Sequence, residues 1–357
     1  MYNLCCISNE LKEEGFAFQT MTWKRYNDLC NQHSVSHALN ELGSRWLNNV
    51  KVTKRSIWHC WQNRWGYRVS SSLFPVLTHP EFGYDISDVP QYEAIMDTFN
   101  DTAWENKNFW GVRLSTHPDQ FNVLASENQA SVDKTILELN HHGWVMDQLG
   151  CERSYYNPIN IHINNTKGDL SDIAARFMSN LNKCEQSVTS RLVVENEDKG
   201  CWTVANLLEH FDIPITYDNL HDKCNPSQFL PFNGDYFYPM EECVKTWGKI
   251  KPLFHYSESM PDHKNPRKHA DMPTGHPASD LYDWDIELKS KDAAIRACAA
   301  FQELGEALAQ PLRSLMGQED QMKVANKVME EDKEVLKRYE EGTARIADPR
   351  YREDRSY

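Results

Sequence analysis

Long apolar runs are the first feature that this sequence lacks. No stretch of about 18 consecutive apolar residues occurs in the 357 residues, which argues against a membrane-spanning helix. Residues Met1 to Asn9 carry no basic stretch followed by an apolar one, so we expect no secretory signal. Glycine and proline number only 15 and 16, and this composition excludes a disordered or fibrous chain.

Basic residues are in deficit, and paired cysteines are missing. The chain has 38 Lys and Arg against 52 Asp and Glu, a formal net charge of −14, which argues against a protein that coats nucleic acid through charge alone. It does not exclude an enzyme that uses divalent cations to offset its own carboxylates and then contacts phosphate. The ten cysteines form no C-x-x-C pair, so we predict free thiols in a reducing compartment and no zinc ribbon.

What the sequence does contain is a regular alternation of short apolar runs with longer helical patterns. Strands followed by helices indicate βαβ units and a parallel sheet, and eight such units fit a closed TIM (β/α)₈ barrel. We assign the barrel to residues 1–317 and a charged C-terminal extension, with a helix at 321–339, to residues 318–357. The predicted strands are 2–8, 65–71, 110–116, 158–163, 191–197, 214–219, 252–257 and 284–288; the predicted helices are 23–46, 92–106, 129–149, 173–186, 204–211, 240–247 and 292–308.

Two kinds of local signal support these elements. Gly150 follows the third helix, where a left-handed cap favours glycine, and Asp169 or Ser171 can cap the fourth helix. Residues 259–278 contain four prolines and no helical or strand period, which predicts a long loop after the seventh strand. Because barrel enzymes carry their chemistry on such loops, we expect this loop to be functional.

The strongest signal is the chemistry at the carboxyl ends of the predicted strands. Six consecutive strands each end in His, Asp or Glu, and the long loop adds one more histidine. Imidazole and carboxylate are the ligands of Zn²⁺ and Mn²⁺, and two or three such ions activate water and stabilise the leaving oxygen of a phosphodiester. The candidate ligands are His117, His162, Glu195, Asp218, His221, His255, His269 and Glu287.

Each of these residues alone has a simpler interpretation. His162 could be a structural histidine, Asp218 and His221 could share their spacing by chance, and Glu195 could pair with a buried arginine. The alignment of all eight residues with independently assigned strand ends favours a metal site.

Several longer segments resemble one known family. They are Arg68-Val-Ser-Ser-Ser-Leu-Phe-Pro75, Arg113-Leu-Ser-Thr-His-Pro-Asp-Gln-Phe121, Glu195-Asn-Glu-Asp198, His255-Tyr-Ser-Glu258 and Glu287-Leu-Lys-Ser-Lys291. In this order they resemble the UV-damage endonucleases, relatives of the apurinic endonucleases among the xylose-isomerase-like barrels. The resemblance covers roughly residues 6–300.

The resemblance implies a nuclease with up to three divalent ions, with manganese expected and zinc, iron or magnesium as alternatives. Such an enzyme nicks double-stranded DNA 5′ of pyrimidine dimers and photoproducts, leaving 3′-hydroxyl and 5′-phosphate ends. The eight candidate ligands match the family's metal ligands, and we expect Glu195, Asp218, His255 and Glu287 to carry catalysis, with Glu195 and Glu287 bridging ions. We further expect a monomer, no membrane partner and a cytoplasmic location, associated with the nucleoid in a prokaryote or virus.

The resemblance also implies DNA contacts. Gln120 and Phe121 match an element that enters the duplex where the lesion is extruded, although without the resemblance the preferred interpretation of Phe121 is a buried rim aromatic. The hydroxyls of Ser70, Ser71 and Ser72, together with Arg68, suit phosphate binding, and the simpler interpretation of the serines is a polar turn. Lys264 and Lys268 are candidates for backbone contacts, with a solvated loop as the alternative.

The chain departs from the family pattern at three positions. The family's lysine two residues before the seventh-strand histidine, thought to be carboxylated, is Leu253 here, and the nearby Lys251 lies four residues before His255. A first-strand tyrosine of the family is Leu4, and the tyrosine after the probing glutamine is Phe121. We therefore expect no modified lysine and a shifted lesion preference.

Three other functions remain open at this point. An apurinic-site endonuclease would share the metals but act on a different lesion. A metal-dependent sugar isomerase would need a small closed pocket, and a non-enzymatic barrel would retain no metal.

Overall fold

The computed structural model describes residues 1–227, 238–277 and 281–315, and the side chains of this part as far as residue 307. The chain divides into two compact units. The first comprises Met1–Gln228 and Tyr238–Cys298, and the second comprises Phe229–Phe237 and Ala299–Tyr357. Of the second unit, only the helical residues 299–315 are described. The predicted C-terminal extension at 318–357, its helix and the boundary at 317 lie outside the described residues.

Eight parallel strands form the core of the first unit, in the order β6-β5-β4-β3-β2-β1-β8-β7. The circle closes between β6 and β7, where His255 N donates to Tyr217 O at 2.9 Å and Asp218 lies beside His255. The predicted TIM barrel is confirmed. The strands are β1 Tyr2–Cys5, β2 Gly66–Val69, β3 Leu114–Thr116, β4 Ile159–Ile161, β5 Leu192–Glu195, β6 Ile215–Thr216, β7 Leu253–Tyr256 and β8 Asp283–Ile286.

Each strand lies within or overlaps its predicted range but is shorter. The two largest differences are at 110–116 and 214–219. In the first, Asn106–Trp110 forms a π-helical turn and only the last three residues pair as β3; in the second, only Ile215–Thr216 pair as β6.

Helices pack around the strands, as predicted. The predicted helix 23–46 is wrong in its bounds, because Ser34 interrupts it and caps a new helix by accepting a hydrogen bond from His37 N. The described helices are α1 Asn9–Glu13, α2 Trp23–Gln32, α3 Val35–Asn63, α4 Tyr92–Glu105, α5 Gln129–Gln148, α6 Leu170–Leu181, α7 Gln186–Thr189, α8 Val204–His210, α9 Asn219–Cys224, α10 Pro239–Thr246 and α11 Asp292–Leu315, with a 3₁₀ turn at Ile86–Asp88.

Helix α3 shows why these segments fold against the strands. Leu42, Trp46, Val50 and Ile57 recur at helical spacing and are buried, so one face of the helix packs on the barrel. The predicted caps are also present: Gly150 adopts φ 71° after α5, and Asp169 accepts hydrogen bonds at the start of α6. In the described part of the chain, no helix is both long and apolar enough to cross a membrane.

The inside of the barrel is unusually polar at its amino-terminal end. Arg113 is buried and donates to Asp283 Oδ2 at 2.8 Å, while Lys251 Nζ lies 2.7 Å from Asp283 Oδ1. Lys251 is therefore engaged at the amino-terminal end of β7, away from the carboxyl ends of the strands. Such buried ion pairs are costly to break, because removing one partner leaves an uncompensated charge.

Candidate metal centre

Glu195, the last residue of β5, lies at the centre of a group of histidines. Its side chain is 1% exposed, and its Oε2 atom lies 3.2 Å from His117 Nε2, 3.8 Å from His162 Nε2 and 3.2 Å from His255 Nδ1. Its Oε1 atom lies 3.1 Å from His221 Nδ1. Four imidazoles from separate parts of the barrel thus converge on one carboxylate.

Asp218 and His221 enter the site through a helix start. Asp218 follows β6 and caps α9, where its Oδ1 atom accepts a hydrogen bond from His221 N at 2.7 Å. The backbone of Asp218 is fixed in turn by Asn196, which accepts from Asp218 N at 2.8 Å and donates to Asp218 O at 3.0 Å. The i,i+3 spacing therefore brings both side chains to Glu195 through a single helical turn.

Glu287 and His269 complete the group from the side of β8. Glu287 follows β8, and its Oε1 atom lies 3.4 Å from His255 Nδ1. The long loop after β7 returns to the barrel through a bridge between Ser259 and His269, and His269 Nδ1 lies 2.9 Å from Glu287 O. The structure therefore brings all eight predicted ligands to one end of the barrel, the carboxyl-terminal end, which we call the mouth.

Burial and charge shift the pKa values of these groups in opposite directions. Burial alone would raise the pKa of Glu195, but the imidazoles of His255 and His162 lower it well below its usual value. Burial would lower the pKa of His255, but the carboxylates of Glu195 and Glu287 raise it to about 9. Burial lowers the pKa of His162 to about 4, with further lowering by His117. Burial also raises the pKa of Asp218. Groups with such opposed shifts are typical of functional sites.

The residues of the mouth fit divalent cations. Three triplets in the mouth have ligand atoms within 4.8 Å of one another: His117 with His162 and Glu195, Glu195 with Asp218 and His221, and Asp218 with His255 and Glu287. Buried atoms in this group also lack hydrogen-bond partners among the described residues, namely His162 Nδ1, Asp218 Oδ2 and His255 Nδ1. Because unpartnered buried polar atoms are costly, a bound cation is the natural partner.

The predicted lesion-probing residues lie on the loop after β3. Phe121 is 78% exposed, so its interpretation as a buried rim aromatic is wrong. Gln120 is also exposed, and its backbone carbonyl accepts a hydrogen bond from Asn164 Nδ2 at 2.8 Å. Asn164 itself adopts φ 55° and donates from its backbone N to Glu197 at 2.7 Å. The loop is thereby tied to β4 and β5 while the ring points into solvent.

The other predicted DNA contacts fall into two groups. Ser71, Ser72, Lys264 and Lys268 are exposed, whereas Ser70 is buried and its hydroxyl accepts from Ser72 N at 3.2 Å. Arg68 differs from all of them. Its guanidinium lies inside the mouth against Glu287, with Asp285 Oδ2 at 3.5 Å, so a DNA contact by Arg68 stays a prediction without support from its surroundings.

Sequence reasoning did not include two buried polar residues that lie directly beneath the ligands. Asn160 donates to Glu195 from β4, and Asp285 lies below Glu287 on β8. A signal for both was present, since each precedes a predicted ligand by two residues and therefore shares its face of the strand.

A parallel eight-stranded barrel with a cluster of imidazoles and carboxylates at its mouth defines a TIM-barrel protein with a metal-binding centre. Comparison with known proteins gives the family: the profile of the UV-endonuclease family UvdE matches residues 2–312. The chain belongs to this family of UV-endonucleases. The resemblance inferred from the sequence motifs is thus confirmed, and so is the prediction of a UV-damage endonuclease, a hydrolase of DNA phosphodiester bonds.

Individual relatives agree with the family match. A UV-damage endonuclease of Neurospora crassa is 32% identical over 257 residues, which cover 66% of this chain and 38% of the relative. A UV DNA damage endonuclease of Nostoc sp. is 28% identical over 316 residues, covering 85% of this chain and 90% of the relative. The crystal structure of SacUVDE superposes with a TM-score of 0.67 at 23% identity, covering 85% of this chain and 98% of that one, which supports the fold.

Proposed function

We propose that this UV-damage endonuclease nicks duplex DNA on the 5′ side of UV-damaged nucleotides and leaves 3′-hydroxyl and 5′-phosphate ends. We further propose that the reaction depends on up to three divalent cations, with manganese as the working ion. The observation that carries the proposal is the convergence of four histidines on the buried carboxylate of Glu195. No simple structural role requires so many titratable groups around one side chain.

The residues of the mouth can be assigned as ligands to three separate ions. His117, His162 and Glu195 would hold one ion, and Asp218, His255 and Glu287 would hold another. Glu195, Asp218 and His221 would hold the third, and His269, which lies beside Glu287, would complete the ligand set. Divalent cations at such a site polarise phosphate oxygens and lower the pKa of water. They would also supply the positive charge that the acidic chain lacks at the place where a phosphate must bind.

The exposed ring of Phe121 supports recognition of the lesion. Damaged bases stack and pair poorly, so extruding them from the duplex costs less than extruding intact bases. An aromatic ring can fill the vacated stack, and stacking on a base contributes about 1–3 kcal/mol. The amide of Gln120 lies beside the ring on the same loop and would form hydrogen bonds with the opposite bases.

Phosphate contacts would come from the exposed residues around the mouth. Ser71 and Ser72 follow β2, while Lys264 and Lys268 belong to the long loop that carries His269. One chain supplies all the proposed ligands, so we propose that a monomer is active. Because the substrate is genomic DNA, we also place the enzyme in the cytoplasm or nucleoid.

Metal analysis combined with strand nicking tests this proposal. The protein, purified without chelator, is analysed for metal and then assayed on four duplexes of one sequence, carrying a pyrimidine dimer, a photoproduct, an abasic site or no damage. We expect bound metal and nicking 5′ of the two UV lesions. The Asp218→Ala variant should fold but lose nicking.

The other outcomes separate the alternatives. Preference for the abasic duplex would replace the proposal with an apurinic-site endonuclease. Retention of nicking by Asp218→Ala, or by protein from which all metal has been removed, would refute the metal-dependent mechanism. The metal that restores most activity to the metal-free protein identifies the working ion, because His and carboxylate ligands accept several divalent ions.

A further inference from the structure

A buried carboxylate without an assigned role lies directly below the proposed metal ligands. Asp285 is fully buried on β8, where it pairs in register with His255 of the neighbouring strand β7. Its Oδ1 atom accepts a hydrogen bond from Asn3 Nδ2 at 2.9 Å, and its Oδ2 atom lies 3.5 Å from Arg68 Nη1. Two polar neighbours thus fix the position of this carboxylate.

The side chain of Asn3 reaches Asp285 because its own neighbour is a glycine. Asn3 on β1 pairs in register with Gly66 on β2, and a Cβ atom at position 66 would lie 2.1 Å from Asn3 Oδ1. Any side chain at position 66 would therefore displace Asn3 from its place.

The imidazole of His255 lies between this carboxylate and the metal centre. Its Nδ1 atom has no hydrogen-bond partner in the part of the chain that the structure describes, and it faces Glu195 Oε2 at 3.2 Å, Glu287 Oε1 at 3.4 Å and Asp218 Oδ2 at 4.0 Å. Its Nε2 atom faces the other way and lies 3.6 Å from Asp285 Oδ2. The two ring nitrogens therefore have separate surroundings, a group of carboxylates on one side and Asp285 on the other.

The other ligand histidines with a known outer contact use the backbone instead. His117 Nδ1 lies 2.9 Å from Pro118 O, and His269 Nδ1 lies 2.9 Å from Glu287 O. His255 differs in having the carboxylate of Asp285 on the side away from Glu195. A carboxylate in this place fixes the tautomer of a metal-bound imidazole and strengthens it as a ligand.

We infer that Asp285 is a positioning residue, which keeps the proton of His255 on Nε2 and so presents Nδ1 to the metal. The inference rests on the metal centre proposed above. Asn3 and Arg68 hold Asp285 in turn, so a chain of buried polar contacts runs from β1 and β2 through β8 to the ligand on β7. Losing a partner of this kind lowers metal affinity by about 10- to 100-fold.

A matched pair of variants tests the inference. Asp283 lies two residues before Asp285 on the same strand, is equally buried and also pairs with an arginine, but contacts none of the proposed ligands. Metal-free wild type, Asp285→Asn and Asp283→Asn are titrated with Mn²⁺, and free Mn²⁺ is followed by electron paramagnetic resonance. We expect about 10- to 100-fold weaker binding of one ion in Asp285→Asn only.

Activity should follow the same pattern. Excess Mn²⁺ should restore nicking by Asp285→Asn without a change in KM for damaged DNA, a rescue that a purely structural defect would not show. Equal Mn²⁺ affinity in Asp285→Asn and wild type would overturn the inference, and so would equal weakening in Asp283→Asn. If wild type itself binds no Mn²⁺, the proposal of a metal centre is refuted, and not only the proposed role of Asp285.

A second measurement needs no change at Asp285 and so remains decisive if that variant does not fold. Long-range ¹H–¹⁵N correlation spectra of the Zn²⁺-loaded wild type, with the ring assigned by comparison with His255→Gln, report which nitrogen of His255 carries the proton. The inference requires a proton on Nε2 and metal on Nδ1. The reverse assignment would overturn it.

Discussion

Replacing Glu195 with glutamine perturbs the centre of the proposed metal site with little change in shape. Glu195 Oε2 lies 3.2 Å from both His117 Nε2 and His255 Nδ1. At that distance a unit charge interacts with a carboxylate by about 5 kcal/mol at an effective dielectric constant of about 20. Since about 1.4 kcal/mol corresponds to a factor of ten, we expect Glu195→Gln to weaken divalent-cation binding on the order of 10³-fold or more.

Titration of the metal-free variant with Mn²⁺, alongside the nicking assay, measures this loss. The control is Glu138→Gln on α5, where Glu138 Oε1 lies 3.5 Å from His142 Nε2 and outside the mouth. The control makes the same chemical change beside a histidine, and it should bind Mn²⁺ like wild type. Wild-type Mn²⁺ affinity in a folded Glu195→Gln variant would refute the central role of this carboxylate.

Three further predictions follow from the geometry. The affinity for Mn²⁺ should rise with pH up to about 9. Burial would lower the pKa of His255, but its neighbouring carboxylates raise it to about 9, and the cation must displace that proton. Calorimetry in buffers of different ionisation enthalpy counts the released protons, and a pH-independent affinity would contradict this prediction. Phe121→Ala should weaken binding to dimer-containing DNA by roughly 5- to 150-fold, the equivalent of about 1–3 kcal/mol, whereas Phe121→Tyr should not; gel-shift titration measures both, and equal affinities would remove the stacking role. Chelation should lower the melting temperature, and Mn²⁺ at about 100 times its Kd should restore about 2.7 kcal/mol of stability; an unchanged thermogram would contradict specific binding to the native state.

The architecture and the meeting of the proposed ligands at one mouth could be predicted from the sequence for one reason. In a parallel barrel all strands end at the same mouth, so residues such as His117 and His255 must meet there even though 138 positions separate them. The alternation of strands with helices was enough to identify those ends. Exact strand lengths did not matter, because each predicted range contained the true carboxyl end or lay close to it.

The features that sequence did not reveal depend on contacts between distant strands. The proposed role of Asp285 depends on the strand register that places it beside His255. The position of the Asn3 side chain depends on the glycine opposite it on β2. The exposure of Phe121 depends on how Asn164 holds the loop. The break between α2 and α3 depended on a local cap at Ser34, which competes with a continuing helical pattern.

The way in which the loop after β3 is anchored has a practical consequence for redesign. Asn164 holds this loop by donating a hydrogen bond to the main-chain carbonyl of residue 120, a group that every residue type carries. Side chains at positions 120 and 121 are therefore interchangeable without loss of that anchor. A small library of substitutions at these two positions offers a direct route to enzymes with altered damage selectivity and an unchanged metal centre.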